Sequence, residues 1–243
     1  MLKFFVAPIV LLLIFAHSAS AQHYGQHLDI SLNAGYATFN LDQLKSYQQR
    51  FLEQSPLPAK ITNDFPGYLN LSLDAAFYDS AYYVGMMLGH TSTGGRIAYS
   101  DYSGSYDYDQ LVRMTYAGVF GGFRILETKA GAFFFGATLL TYLNRVDLKY
   151  TETVADDSYA YTTKLWSVNL SFGPYLQYQK RVGKLTYKAS AGYEFHYAPN
   201  LFFRHEDSEE YVGPDGQSMN ANASGARFNV GVGYALFTRR SPF

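Results

Sequence analysis

The chain has 243 residues, of which 48% are hydrophobic and 18% aromatic, and its formal net charge is −1. Without an excess of positive charge it has no general attraction for nucleic acid, and without cysteine it can form neither disulfides nor thiolate metal sites. The aromatic share, 23 Tyr and 19 Phe against 1 Trp, is well above that of an average domain and has to be explained by the fold.

Residues 1–21 have the pattern of a secretory signal peptide. Lys3 precedes an apolar run over 4–15, and Ala19–Ala21 provides the small residues of a cleavage motif. The apolar run is too short for a spanning helix, so we expect a mature chain of one domain over 22–243. No later segment approaches about eighteen consecutive apolar residues, so any membrane span would have to be built from strands.

Apolar and polar residues alternate strictly along much of the mature chain, which is typical of strands with two different faces. The pattern is clearest in GYLNLSLDAAFYD, where Leu69, Leu71 and Leu73 share one face and Asn70 lies on the other. We predict about eight strands, over 28–39, 67–78, 81–91, 108–125, 131–149, 164–180, 184–199 and 226–237. Tight turns alternate with long polar loops, and the loops cover 40–66, 92–107, 150–163 and 200–225. The sequence therefore predicts an all-β fold, a closed antiparallel transmembrane β-barrel with its long loops outside the cell.

The charged residues of the polar face indicate which face meets the lipid. A soluble lipocalin-like barrel would also alternate, but with its apolar face inward. In a membrane, the same arrangement would expose the polar face to lipid, and each basic residue on it would cost roughly 2–4 kcal/mol near the middle of the bilayer. We therefore expect an apolar exterior and a narrow lumen that holds an ion-pair network of mixed sign. Its predicted members are Asp74, Arg113, Lys188, Glu194 and Arg227. A narrow, gated, porin-like channel is the alternative.

One segment, NLDQLKSYQQRFLEQ, has helical periodicity. Asn40 can cap this helix with Gln43 at the third following position, and Ser55-Pro56 marks its end. The predicted apolar face consists of Leu41, Leu44, Tyr47, Phe51 and Leu52. Because this short helix lies in the first extracellular loop, we predict a lid packed on the rim and on the Tyr-rich segment 99–108. Docking of a partner protein is the alternative, whereas the mixed charges of the polar face disfavour docking on lipid.

Two strands have less certain faces. Pro174 cannot donate to a backbone ladder, so we expect a bulge at Gly173 and Pro174. The strand at 131–149 is apolar on both sides, so alternation alone does not say which side faces inward.

Signal peptide, alternating strands, short turns against long loops and the last strand FNVGVGYALF together resemble the OmpA and OmpX type of small bacterial outer-membrane β-barrel. The resemblance covers nearly the whole mature chain and implies a location in the bacterial outer membrane. It implies outer-membrane lipid or lipopolysaccharide as a partner, with another outer-membrane or extracellular protein as a candidate for the loops. Such proteins commonly carry an aromatic assembly signal at the C-terminus, for which Phe237 and Phe243 both qualify. No cofactor is implied.

The segment GHTSTGG contains the strongest enzymatic signal. His90 and Ser92 share one strand face and look like the His-x-Ser arrangement of barrel lipid A deacylases, in which His activates Ser for attack on an acyl ester. The required acid is missing, because Asp107 and Asp109 are predicted to face inward on their strand. We therefore predict no catalytic site, with a lipid A-modifying enzyme as the less favoured alternative. The acidic run over 204–216 lacks EF-hand spacing and predicts no metal site.

Overall fold

The computed structural model describes residues 26–54, 58–79, 81–102, 104–128, 130–154, 157–203, 209–213, 216 and 218–238. The predicted signal peptide, Ser55-Pro56 and Phe243 lie outside these residues. Within the described part of the chain, no helix is both long and apolar enough to cross a membrane.

The described residues form ten strands and one helix. In chain order these are β1 (His27–Ala37), α1 (Asp42–Gln54), β2 (Lys60–Asp64), β3 (Tyr68–Tyr78), β4 (Tyr82–Asp101), β5 (Gly104–Thr128), β6 (Gly131–Val154), β7 (Asp157–Val182), β8 (Leu185–Tyr197), β9 (Phe202–Phe203) and β10 (Gly225–Thr238).

Eight of these strands pair into a closed ring. Antiparallel ladders join β1, β3, β4, β5, β6, β7, β8 and β10 in that order, and β10 pairs again with β1. The short strands β2 and β9 lie outside the ring and pair with the extracellular ends of β4 and β7. A closed ring leaves no unpaired strand edge, which lipid requires. The predicted eight-stranded antiparallel barrel is confirmed.

The ring is built from two sets of strands with different lengths. β1, β3, β8 and β10 have 11 to 14 residues and form what we name the short wall. β4, β5, β6 and β7 have 20 to 26 residues and form the tall wall. The turn side of the barrel lies at the short connections, and the long strands project past the short ones on the opposite, extracellular side.

Two of the predicted loops are strand in the structure and belong to the tall wall. Residues 92–107 and 150–163 continue as paired strand to the hairpin ends near Asp101 and Gly104, and near Val154 and Asp157. Tyr residues opposite each other across these ladders are the kind of cross-strand pair that stabilises a sheet. The polar residues that suggested loops belong instead to strands whose outer face is in water.

An apolar band surrounds the barrel on its outer surface. On β6 the outward residues Phe133 to Leu143 are apolar or small, and these ten steps along a tilted strand rise by about 25 Å, the height of the lipid-facing band of such barrels. On β3, Leu71 and Leu73 are about half exposed, whereas Asn70 is buried. The predicted lipid-facing and lumen-facing sides of β3 are therefore confirmed.

Pro174 does not produce the expected bulge. The β6 to β7 register runs without interruption through the pair of Ala137 and Pro174. On the other side, the ladder between β7 and β8 omits Gly173 and Pro174 and resumes in the same register at Tyr175. The missing N–H is therefore accommodated as a local gap in one ladder, and the outward orientation of the following residues is preserved.

Candidate functional site

The barrel interior contains four of the five charged residues predicted to lie there. Lys188 Nζ is 3.2 Å from Asp74 Oδ1, and Arg227 Nε is 3.1 Å from Glu194 Oε2. All four residues are buried. Buried charges are tolerated when they are paired, so the lumen contains two compensated ion pairs. Every one of these residues comes from the short wall.

Arg113 does not belong to this group, which corrects the prediction. It lies on the outer face of the tall wall, where it forms an ion pair with Asp147. Its inward neighbours are Val112 and Met114, both fully buried. Above the lipid band, water is outside the wall and α1 is inside it, so the polar residues of β5 face outward and the apolar ones inward.

Neutral side chains complete the hydrogen bonding of the buried pairs. Asn33 Nδ2 donates to Asp74 Oδ2 at 2.8 Å, and the Tyr142 hydroxyl donates to Glu194 Oε2 at 2.6 Å. The Arg227 guanidinium also donates to backbone carbonyls at 2.6 and 3.0 Å. These contacts satisfy charged groups that would otherwise be expensive to bury.

A cavity of about 70 Å³ lies next to both ion pairs, which is space for roughly five water molecules. Its other polar lining includes Asn33, Asn70, Tyr116, Thr138, Gln177 and Asn229. Such a lining can hold water but leaves little space for a solute larger than a few waters.

An aromatic cluster closes the turn side of the lumen. The rings of Tyr78 and Tyr83 stack with centroids 5.1 Å apart, and Phe134 meets Tyr83 edge-on at 5.2 Å. The hydroxyls of Tyr83 and Tyr175 are 2.6 Å apart. Phe120 packs into the same buried cluster. The side chains here fill the barrel cross-section, as is usual for eight strands.

Helix α1 covers the extracellular end of the lumen. All five residues of its predicted apolar face pack into one cluster with the inner side of the tall wall. These residues are Leu41, Leu44, Tyr47, Phe51 and Leu52. The segment 218–224 adds the buried side chains of Met219, Ala221 and Ala223 to the same cluster. The cover is therefore formed by two segments that both emerge from the short wall.

Ring contacts position α1 on the Tyr-rich strand predicted to receive it. Phe51 stacks on Tyr108 at 5.1 Å and on Tyr106 at 6.0 Å, and Tyr47 meets Tyr108 at 6.0 Å. Burial raises the pKa of the Tyr106 and Tyr108 phenols above the usual tyrosine value, and neighbouring phenols add to the effect. Both rings are therefore neutral at physiological pH.

The start of α1 differs from the predicted capping box. The helix begins at Asp42, and Leu41 has a positive φ of 46° that turns the chain from the short wall across the barrel mouth. Gln43 Oε1 accepts a hydrogen bond from the backbone N–H of Asn220 at 2.5 Å instead of returning to Asn40. Leu41 N–H donates to the carbonyl of Asn222 at 2.8 Å. These contacts between distant parts of the chain fasten the two covering segments to each other.

His90 and Ser92 lie on the outer face of β4 near the extracellular edge of the lipid band. His90 Nδ1 is 3.0 Å from Thr115 Oγ1. Asp107 and Asp109 share this outer face, which corrects their predicted inward orientation, but both form ion pairs with Arg96. Arg96 is six residues beyond His90 on the strand, about 20 Å away at the usual rise per residue. The structure therefore does not bring either carboxylate to the His90 ring.

The acidic run over 204–216 is described only in part. Glu206, Asp207 and Asp215 lie outside the described residues. Among the residues that the structure does describe, no group of three or more His, Asp or Glu side chains could hold a metal ion.

Similarity to known proteins was found in solved structures only. No family model matches the chain, and no curated protein matches it. Ail, the attachment invasion locus protein of Yersinia pestis, solved in complex with the heparin analogue sucrose octasulfate, aligns with TM-score 0.35 and 16% identity over 86% of this chain and 99% of its own. Neisserial surface protein A aligns with TM-score 0.32 and 7% identity over 87% and 99%. The outer membrane protease OmpT of Escherichia coli aligns with TM-score 0.31 and 10% identity over 89% and 99%.

These structures are small outer-membrane β-barrels. Because the TM-scores are below 0.5, the assignment of fold rests on the chain itself: the closed ring of eight strands, the apolar outer band and the polar, buried interior. By these features the chain has the fold of a small transmembrane β-barrel.

Proposed function

We propose that this protein is a non-enzymatic outer-membrane barrel whose lumen is closed by its own side chains and whose tall wall presents an interaction surface outside the cell. The observation that carries the proposal is the packing of the apolar face of α1 against the inner side of the tall wall, with Leu41, Leu44 and Tyr47 buried and Phe51 and Leu52 partly buried. A helix held in this way is part of the core and blocks the extracellular mouth.

The energetics favour a permanently seated helix. Leu41 and Leu44 are fully buried, and burial of a large apolar side chain stabilises by roughly 1.5–3 kcal/mol each. Tyr47 and Phe51 add aromatic contacts, and Gln43 is hydrogen-bonded to the second covering segment. Opening the mouth would break all of these contacts together.

The end of the tall wall extends past α1 and leaves aromatic and aliphatic side chains uncovered. Tyr159 and Val154 are more than half exposed and Tyr161 nearly half. Tyr150 stacks on Tyr161 at 5.0 Å and donates a hydrogen bond to Glu152 at 2.6 Å. Tyrosine is enriched at the centre of protein interfaces. This supports another outer-membrane or extracellular protein as the partner, while the apolar band binds the lipid and lipopolysaccharide of the outer membrane.

The Leu44→Asp variant tests the lid, with Gln49→Asp as its matched control. Leu44 is buried under the tall wall, whereas Gln49 is exposed on the same helix. We expect Leu44→Asp to make α1 sensitive to protease and Gln49→Asp to behave like the parent. Because the aromatic cluster still closes the turn side, ion leakage in planar bilayers is expected only when Leu44→Asp is combined with Phe134→Ala. If Leu44→Asp leaves the protease resistance of α1 unchanged, α1 is not a lid.

A narrow channel is the second candidate, and the polar cavity beside the ion pairs is the observation that favours it. In this case the parent protein itself would show reproducible openings of one size in planar bilayers. The aromatic cluster at the turn side would then be the remaining barrier, so Phe134→Ala should raise the conductance. Silent bilayers with the parent protein and with Phe134→Ala, and leakage only when Phe134→Ala is combined with Leu44→Asp, would support the closed barrel instead.

A lipid A-modifying enzyme is the least favoured function. If it were correct, mass spectrometry of lipid A from expressing cells would show a lost acyl chain that returns with Ser92→Ala.

A further inference from the structure

One buried carboxylate of the lumen takes no part in the two ion pairs described above. Asp29 is an inward residue of β1 close to the turn side, and its side chain is fully buried. Neither of its carboxylate oxygens accepts a hydrogen bond from any residue that the structure describes. A buried charge is costly unless it is paired and hydrogen-bonded, so the negative charge of Asp29 requires compensation.

The basic side chains of β7 and β8 at this end of the lumen are bound elsewhere. Lys188 Nζ is 3.2 Å from Asp74 Oδ1, and Arg181 Nε donates to a carbonyl of the adjoining turn at 3.0 Å. Among the described ion pairs, Asp29 is joined only to His27, whose Nε2 is 3.7 Å from Asp29 Oδ1. This separation is too long for a hydrogen bond. The protein groups described around Asp29 therefore leave its two oxygens unsatisfied.

Two hydroxyl groups next to Asp29 are in the same condition. Ser31 is the following inward residue of β1, and Thr186 lies on β8. Both side chains are buried, and within the described part of the chain neither hydroxyl has a hydrogen-bond partner. Gly233 of β10 pairs with Ser31 on one side and with Thr186 on the other. The two hydroxyls therefore lie in one row across the sheet, with a glycine between them.

Gly233 leaves space at the centre of this row. It is buried and faces the lumen, because its neighbours Val232 and Tyr234 face outward. A Cβ atom at Gly233 would lie 2.5 Å from Ser31 Oγ and 3.5 Å from Asp29 Oδ2. A hydroxyl and a carboxylate oxygen thus converge on the space that the missing side chain leaves.

We propose that Asp29, Ser31 and Thr186 form a binding site for one hard monovalent cation of the Na⁺ class at the turn-side end of the lumen. Hard cations prefer oxygen ligands, and carboxylate and hydroxyl oxygens are of this kind. The cation neutralises Asp29, and its protein ligands are the oxygens that have no hydrogen bond among the described residues.

The set of ligands selects a monovalent ion. One carboxylate supplies one negative charge, so a divalent ion would leave a positive charge buried without a partner. Ca²⁺ usually takes about six to eight oxygen ligands, several of them from carboxylates. The direct neighbours of Asp29 in its two ladders are Ala76 and Ala235, whose side chains add no ligand. A single positive charge therefore fits this site best.

His27 lies between the site and the turn-side rim of the barrel. It is the first residue of β1, its side chain is 11% exposed, and its ring stacks on Tyr78 with centroids 4.9 Å apart. A cation can therefore reach Asp29 from the turn side past one ring, without passing α1. The inference needs the closed barrel but does not depend on whether α1 is a lid.

The test measures urea unfolding in phosphatidylcholine vesicles while Na⁺ replaces choline at constant pH and ionic strength. Choline is too bulky to bind between these oxygens. A ligand that binds only the folded state stabilises it by mass action, so the unfolding constant of the parent should fall about tenfold for each tenfold rise in Na⁺ above the dissociation constant. Asp29→Asn should not respond to Na⁺. Glu53→Gln removes an exposed carboxylate from α1 and should respond like the parent.

Gly233→Ala tests the space itself. It keeps Asp29 but places a methyl group against Ser31 Oγ, so it should weaken the response to Na⁺. Heat-modifiable migration on electrophoresis reports folding of each variant. Sodium NMR covers the case in which a variant does not fold, because it needs only the parent: the folded protein in nanodiscs should broaden the Na⁺ signal, and K⁺ but not choline should reverse the broadening.

Equal stability of the parent in Na⁺ and in choline would overturn the site, and so would equal responses of Asp29→Asn and Glu53→Gln. If stability rises as pH falls and does not respond to Na⁺, a proton on Asp29 or His27 compensates the charge and the cation site is wrong. A response to Ca²⁺ without one to Na⁺ would overturn the assignment of a monovalent ion. Protease sensitivity of α1 should not change in any of these variants, so failure of this site and failure of the lid are distinguishable.

Discussion

The short wall and the tall wall place their charged residues on opposite faces. On the four short strands, every Asp, Glu, Lys and Arg points into the lumen and is buried. On the upper half of the tall wall, eight charged residues point outward, and the inward side is formed by buried residues such as Tyr106, Tyr108 and Val112. The same fold thus uses two reversed patterns of polarity within one ring.

The difference follows from what each strand touches at each height. The short wall ends where the lipid ends, so its outer face meets hydrocarbon and the lumen is the place for charge. The tall wall continues into water, and there α1 occupies its inner side. On β5 the change occurs within one strand, from the outward Phe123 in the band to the outward Arg113 above it.

The largest effect should come from removing one partner of a short-wall ion pair. Lys188→Met leaves Asp74 buried and uncompensated, which we expect to cost about 3–5 kcal/mol in the free energy of unfolding. Urea unfolding in lipid vesicles measures this. The double variant Lys188→Met with Asp74→Leu removes both charges and should recover most of the loss. A single variant as stable as the parent would mean that water in the cavity already screens the pair.

The short wall is the part of the structure that alternation predicts well. Alternation predicts the faces of Leu71, Asn70 and Asp74 correctly, because each face of a short strand has one environment along its whole length. The four buried charges in the lumen follow from the same rule. Their pairing, for example Asp74 with Lys188 across the ring, depends on how the sheet closes and is not a property of any single strand.

The tall wall is where sequence reasoning failed. Alternation puts Arg113 inside only if each face of its strand has one environment along the whole length, which is not the case on the tall wall. The polar residues of 92–107 are equally compatible with a loop and with a strand in water. The Gln43 contact with Asn220 joins positions far apart in the chain and replaces a local capping box that was equally plausible. The face of α1 was predictable, since its periodicity depends on the helix alone.

The second prediction compares an outward Arg on the two walls. Leu73→Arg places a charge at the middle of the lipid band on the short wall, at a cost of roughly 2–4 kcal/mol. Thr151→Arg places the same side chain outward on the tall wall above the lipid, where a surface substitution should change stability by about 0.5 kcal/mol or less. Urea unfolding in vesicles measures both variants. Similar losses would mean that lipid reaches the upper tall wall or does not reach Leu73.

The third prediction uses pH to separate the tall wall from its cover. Burial under α1 raises the pKa of Tyr106 and Tyr108, so their contribution to docking is complete below the ordinary tyrosine pKa of about 10 and is lost as pH rises toward the folded values. In that interval each phenol should weaken docking by about 1.4 kcal/mol per pH unit. Protease cleavage within α1, followed from pH 8 to 11.5, measures the loss.

Tyr106→Phe together with Tyr108→Phe is the control for this titration. Phenylalanine keeps the ring contacts with Phe51 but has no proton to lose, so the double variant should resist the alkaline release of α1. If it becomes protease-sensitive at the same pH as the parent, groups other than these two phenols control the docking of the helix.

The smallest effect is expected from an ion pair on the outer face of the tall wall. Arg96 pairs with Asp107 at 3.4 Å and with Asp109 at 2.8 Å, but its side chain is 48% exposed. Exposed pairs contribute about 0–1 kcal/mol because water and salt screen them. Arg96→Gln should therefore lower the free energy of unfolding by less than about 1 kcal/mol. Lys149 lies opposite Asp109 in the ladder and can compensate part of the lost charge.

Urea unfolding at low and high salt, measured beside Lys188→Met, should give a small, salt-dependent loss for Arg96→Gln and a large, nearly salt-independent loss for Lys188→Met. Comparable losses would contradict the assignment of one charge group to water and the other to the interior.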